Sequence, residues 1–417
     1  MTTVRQAVDD AHRREWATVL AATVRVTRDL DLAEECVQDA YLAALEEWQR
    51  RGIPDRPGAW LVTAARHNAL DALRRAATLR SKLHLLVEPA ATGDDPAAGT
   101  TPAADDRLRL LFLCCHPALA PDAQVALTLR LACGVPTPDV ARAFLVAEAT
   151  MAARITRAKK KIVAARIPFR MPSAAELPDR LDAVLTVIHL LFTTGHTAPT
   201  GPRLSRDDLT DRALGLARLL HRLMPDEREV RGLLALLLAN HARRATRTGP
   251  DGRLLRLDEQ DRSRWDRGAV AEADRLVVGA LRGGAGRFGL QAAIATLHAT
   301  APTAADTDWA QIVVLYDALL AVWPSPVVAL NRAVAVAMVA GPATGLAELE
   351  ALDRQGHLAG YHYLPAVKAD LLRRLDRHAD AAAEYARALA LAGNDAERAF
   401  LAERVAEVDE HVRRRPV

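Results

Sequence analysis

Three groupings in the 417-residue chain hold side chains able to do chemistry. Cys114-Cys115-His116 sets two thiols beside an imidazole, as a nucleophile or metal site would need. His189 and His196 form a histidine pair, and Asp258-Glu259 with Asp261 a carboxylate cluster. Each fails on spacing. Adjacent cysteines leave a helix in different directions, and the histidines stand seven apart with Gly195 before the second. No CxxC pair and no phosphate-cradling glycine motif with Lys-Ser/Thr occurs. Cys36 and Cys133 stand alone, so the thiols read as reduced and buried. Neither an enzyme nor a metal or cofactor site is expected.

What is left is charge. In "DVARAFLVAEATMAARITRAKKKI", continued to Arg166, seven basic residues stand against two acidic ones, a local balance of +5 where the whole chain carries +3. Met151, Ile155, Ala158 and Ile162 recur at helical spacing and are expected to pack on Val140, Phe144 and Leu127. Thr150, Ala153, Arg154, Arg157 and Lys161 then point outward, with Lys159 and Lys160 completing the run. Such a helix suits DNA. Small residues at its start, Ala149 and Ala152, admit it to the major groove, where arginine pairs bidentately with guanine and later cations meet phosphates. A solvated charged helix end is the other reading.

Two further charged surfaces precede it. Ala33, Cys36, Val37, Ala40, Tyr41, Ala44, Leu45 and Trp48 define a buried stripe, leaving an acidic face that includes Asp31, Glu34, Glu35, Gln38 and Asp39. Leu61, Ala65, Ala69 and Leu73 define a second, leaving Arg66, Asn68, Arg74 and Arg75 on other faces, with Asn68 and Asp71 also open to a bracing role within the fold.

The elements that carry these faces read as helical throughout. Half the residues are hydrophobic, 4% aromatic and 26% charged, which suits a soluble all-α protein, and the length calls for several domains. "MTTVRQAVDDAHRREW" lacks the apolar core of a leader, and no apolar run approaches bilayer length, so a cytoplasmic protein without a membrane partner is expected. Residues 1–77 form a helical bundle broken at "QRRGIPDRPGAW", and 78–104 form a linker rich in Pro, Gly, Thr and Ala that contains Asp94 and Asp95. Residues 105–167 form a helix-turn-helix, with Gly134 as a stop and Thr137-Pro138 as a start. A helical extension over 168–290 precedes repeats over 291–417. There Ala369, Leu372, Ala381, Tyr385 and Ala388 are matched 36 residues earlier by Ala333, Val336, Gly345, Leu349 and Leu352. One step further back stand Leu297, Trp309, Val313 and Tyr316, a spacing that suggests tetratricopeptide-like helix pairs.

"DLAEECVQDAYLAALEEW" with "PGAWLVTAARHNALDALRR" resembles region 2 of the extracytoplasmic-function sigma factors, group IV of the sigma-70 family. "PDAQVALTLRLACGVPTPDVARAFLVAEATMAARITRAKKKI" resembles their region 4, and the remainder resembles the helical extension of one subgroup. The resemblance implies a factor that docks on core RNA polymerase and directs it to promoters. It implies contact of Asp31, Glu34, Glu35, Gln38 and Asp39 with the beta-prime clamp helices, and of region 4 with the beta flap. Arg66, Asn68, Arg74 and Arg75 would hold downstream promoter DNA. Thr150, Arg154, Arg157, Lys159, Lys160 and Lys161 would hold the upstream element, where Ala152 and Ala153 depart from the polar residues of many relatives. Asp94 and Asp95 would run toward the active-site channel, and the repeats would take a regulatory protein. The alternative is a stand-alone helix-turn-helix regulator with a repeat-type sensing domain.

Overall fold

The computed structural model describes residues 3–84, 103–144, 146–173, 175–250 and 252–414. Asp94, Asp95 and most of the expected linker lie outside them. Among the described residues there are eighteen α-helices and no β-strand, only two isolated bridges. No helix there is long and apolar enough to cross a membrane. The chain divides into two units, Met1–Val187 and Ile188–Val417.

The first unit opens with α1 (Val4–Thr27), started by a reciprocal cap in which Thr3 accepts from the Gln6 amide and Gln6 from the Thr3 amide. Asp29 then caps α2 (Leu30–Arg51), accepting from the amides of Asp31 and Leu32 at 2.8 and 3.1 Å. The break expected after Arg51 is present, and Pro57 begins α3 (Pro57–His84), where its missing amide hydrogen costs nothing. Trp16, Val19 and Leu20 of α1, Ala33, Val37, Ala44 and Trp48 of α2, and Leu61, Ala65 and Ala69 of α3 are all buried, as the periodicity required.

Two blocks that the sequence suggested as separate domains are joined here. Helix α4 (Ala103–Cys114) packs on α1, and the buried Asp106 receives Arg25 at 3.3 Å and Arg109 at 2.9 Å. Helices α5 (Pro121–Leu127), α6 (Thr137–Ala143) and α7 (Glu148–Ala164) follow, and α8 (Leu177–His196) begins with the buried Arg180 donating to the Phe112 carbonyl at 3.0 Å.

In the second unit α9 (Asp207–Leu223), α10 (Arg228–His241), α11 (Arg267–Leu281) and α12 (Arg287–Thr300) form a bundle. Glu229 of α10 caps α12, accepting from the amides of Phe288 and Gly289. The chain continues through α13 (Trp309–Val322), α14 (Pro326–Val339), α15 (Pro342–Arg354), α16 (Tyr363–Arg374), α17 (His378–Leu391) and α18 (Asp395–Arg414). Ala333, Leu349, Leu352, Ala369, Leu372, Ala381, Tyr385 and Ala388 share one apolar cluster, and Leu297, Trp309, Val313 and Tyr316 belong to a neighbouring one. A Cβ on Gly345 would lie 2.5 Å from that of Ala337 and 2.7 Å from the Ala333 carbonyl, so α14 and α15 meet where only glycine fits.

Ion pairs repeat at the same spacing. Arg332 joins Asp317, 15 residues before it, to Glu348, 16 after, at 2.6 and 2.9 Å. Lys368, 36 residues on, joins Asp353 to Glu384 at the same offsets, at 2.7 and 2.5 Å.

Candidate nucleic-acid interface

The basic helix α7 buries Met151, Ile155, Ala158 and Ile162, the four residues its spacing assigns to packing. Thr150, Arg154, Arg157 and Lys161, at offsets 0, 4, 7 and 11, then fall along one side, since these offsets bring residues back to nearly the same helix face. Thr150, Arg157, Lys160 and Lys161 are exposed, as are Ala152 and Ala153. Arg154 lies 3.4 Å from the exposed Asp122 of α5 and sits over the Phe144 ring. Among the described residues the Arg157 side chain donates only to the Ala153 carbonyl one turn back, at 3.3 Å. The stripe is thus a cationic surface whose ties are loose enough to exchange for phosphates or base edges.

Lys159 is not part of it. It stands almost opposite the stripe, is largely buried, and is directed at α2, donating to Asp31 at 2.8 Å and to Glu34 at shorter range. Glu34 in turn is buried, not exposed as its place on the acidic face suggested. Its other oxygen accepts from Arg130 at 2.8 Å. Burial by itself would pull the Lys159 pKa down, but Glu34 and Asp31 outweigh it and leave the ammonium above the ordinary lysine value. Glu35 and Gln38 stay exposed on the rim of a polar cleft of about 330 Å³ between α2 and α7, and Asp39 is exposed as well.

Arg130 reaches this clasp from a single π turn, Thr128–Ala132, which continues α5 with one wider loop of backbone. The guanidinium lies over the Trp16 ring at 5.2 Å. Gly134, expected as a helix stop, has φ +64, and a Cβ there would come within 2.8 Å of Trp16. Nothing in the apolar run "VALTLRLACG" marks Arg130 as functional, because its role arises from the π turn.

Of the α3 residues, Arg66, Arg74 and Arg75 are exposed. They do not form one patch: Arg66 and Arg75 are nine residues apart, about two and a half turns, and leave the helix on opposite sides. Arg74 lies 3.4 Å from Asp71, and Arg75 donates to the Asp71 carbonyl. Asn68 is half-buried and donates to the Cys36 carbonyl of α2 at 3.1 Å, which is the bracing role rather than the DNA-facing one.

Residues 12–78 match the family described as Sigma-70 region 2, and residues 109–162 match Sigma-70, region 4. The chain belongs to the sigma-70 family. It is of the extracytoplasmic-function-like kind with a C-terminal extension, within which residues 180–281 match a family of unknown function, DUF6596. An uncharacterized protein of Rhizobium meliloti (strain 1021) is 43% identical over 387 residues, covering 92% of this sigma factor and 91% of the relative. The likeness therefore spans the extension as well as regions 2 and 4. No solved structure matches the chain.

The groupings able to do chemistry make contacts within the fold of this sigma factor. Cys114 and Cys115 are buried; burial pushes the Cys115 thiol up to about 12, and its sulfur lies 3.4 Å from the Thr128 hydroxyl. His116 accepts the Ala118 amide at Nδ1. Burial and the Arg287 charge lower His189 to about 4, and its ring packs edge-on to Phe288. His196 stacks on Phe192. Glu259 accepts the Arg256 amide, and Asp261 caps a short turn at Ser263. Among the described residues no three His, Cys, Asp or Glu side chains gather to hold a metal.

Proposed function

We propose that this sigma factor binds core RNA polymerase and directs it to promoters through two surfaces, the acidic face of α2 for the polymerase and the stripe Thr150, Arg154, Arg157 and Lys161 for the upstream element. The observation that carries the reading is the contrast between them. The stripe is open, whereas Glu34 at the centre of the acidic face is covered by Lys159 and Arg130 of the protein's own region 4. A carboxylate engaged in this way is not free for a second partner, so docking on the polymerase requires regions 2 and 4 to part. Lys159 then has two roles: clasp in the free protein, phosphate contact once released. Lys160 and Lys161 need no release. Arg66, Arg74 and Arg75 serve single-stranded downstream DNA one or two at a time, as their scatter around α3 dictates.

The extension acts through protein contacts, since stacked helix pairs of tetratricopeptide-like form build an interaction surface. Run-off transcription with purified core enzyme and a promoter library tests the reading: RNA chains should start at a cognate promoter only when the factor is present. A protein that binds DNA yet supports no initiation would instead be a stand-alone regulator. Truncation after His196 tests the extension in the same assay, and activity equal to that of the full chain would reject a regulatory role.

A further inference from the structure

In the second unit, the end of α10, the segment that follows it and α12 enclose a cavity of about 50 Å³ whose polar walls are Asn240, Arg243 and His298. Its remaining walls include Leu257 and Trp265, so water has few other partners there. Among the described residues the Arg243 side chain has one hydrogen bond, from Nη2 to the Asn240 amide oxygen at 3.2 Å, and no carboxylate pairs with its charge. Burial, helped by two more cations, Arg247 and Arg262, lowers its pKa to about 10. Of these, Arg262 donates Nη1 to the carbonyls of His298 and Ala301 at 2.6 and 2.9 Å and stacks on Trp265. His298 has a buried Nδ1 without a partner among the described residues, and its low pKa, about 4, keeps the ring neutral near pH 7.

A recessed guanidinium without a counter-charge is costly, and the cost falls when an anion supplies the missing charge. The planar fork of arginine matches two oxygens of one carboxylate or phosphate. The space is a few times the roughly 10–15 Å³ that one water needs, enough for a single such group and for little beyond it. We propose that this cavity is a binding site for a small oxyanion, a phosphate or carboxylate group, held by Arg243 with Asn240 and His298 beside it. The ion would tie α10 to α12.

The test uses the full chain at constant ionic strength, with the unfolding midpoint followed against inorganic phosphate, sulfate, acetate and phenyl phosphate. The first three report a free ion; phenyl phosphate reports whether the group can arrive on a larger molecule. Wild type should rise by several degrees with phosphate or acetate and saturate. Arg243→Gln should lose that rise, and without added anion should unfold no lower than wild type, because an uncompensated charge has been removed. Arg218→Gln, which changes an exposed arginine paired with Glu272, should keep the response. An equal rise in Arg243→Gln, or no rise with any of the four anions, overturns the proposal. Should Arg243→Gln fail to fold, titration calorimetry of wild type against Asn240→Ala decides: no saturable heat in wild type, or equal affinity in the two, overturns it as well.

Discussion

Replacing Lys159 by Met keeps the packing stem and removes the ammonium that joins α7 to α2. Two bonds are lost and they are unequal. The one to Asp31 ends on an exposed carboxylate and contributes about 0–1 kcal/mol. The one to Glu34 ends on a buried carboxylate; stripping a buried ion of its only partner costs about 3–5 kcal/mol. Arg130 still holds Glu34 at 2.8 Å, so the cost reduces to that of a charged hydrogen bond, about 1.5–3 kcal/mol. At about 1.4 kcal/mol per factor of ten, Lys159→Met should shift the equilibrium between joined and parted regions by about ten- to a hundredfold. Asp31→Asn should shift it less than about fivefold. Dyes on Glu46→Cys and Ala164→Cys, both exposed positions, read the separation by energy transfer, while the four native cysteines are buried and label slowly. Affinity for core polymerase should rise by a similar factor, because the binding-competent fraction grows. Unchanged dye separation and unchanged polymerase affinity in a folded Lys159→Met protein would refute the clasp.

Other outcomes follow from the same structure. Arg154→Ala with Arg157→Ala should abolish upstream-element selectivity in promoter-binding assays while polymerase affinity holds; loss of both would mean that the stripe was assigned to the wrong partner. Binding to a promoter fragment should weaken steeply between low and moderate salt, with a log–log slope shallower by about two in that double variant. Gly345→Leu forces a side chain into the 2.5 Å contact with Ala337 and should destabilise the α14–α15 pair by about 1–3 kcal/mol or more, seen as an earlier calorimetric transition. Stability should also fall with acid. His189 and His298 have folded pKa values near 4 against an ordinary 6.5, so the unfolded chain takes up protons first. Their contribution is complete above pH 6.5 and is lost as the pH drops toward 4. Asp353, held near 2 by Arg387 and Lys368, extends the loss from 3.8 downward. Denaturant midpoints across pH 7 to 3 check the sign.

Apolar periodicity exposed most of the fold because it reports which face of each helix meets a core. It located α2, α3 and α7 through their buried stripes, and most of the small and large residues that recur at 36-residue spacing lie in two neighbouring apolar clusters. The same logic misread Glu34 and Lys159. A charged residue beside a buried stripe looks solvent-facing in sequence, and only a second element bearing the opposite charge makes it interior. Lys159 and Glu34 are 125 residues apart, so no local pattern could pair them. The scatter of Arg66 and Arg75 was readable from their spacing alone, whereas the unanswered charge on Arg243 was not, because it depends on which neighbours are absent in space.

The π turn at Thr128–Ala132 gives the clasp an unusual genetic vulnerability. A π turn holds one residue more than the α-helix it interrupts, so dropping a single residue there would let the helix close up as regular α. Side chains beyond the deletion would keep their facing, because the lost residue is the one the wide loop had absorbed, and only those within the turn would swing. Arg130, inside the turn, would leave Glu34, while Gly134, beyond it, would keep its place against Trp16. A one-codon deletion would thus weaken the hold on Glu34 with every clasp residue still encoded, and homologues one residue shorter in this helix should have lost that bond while keeping the glycine.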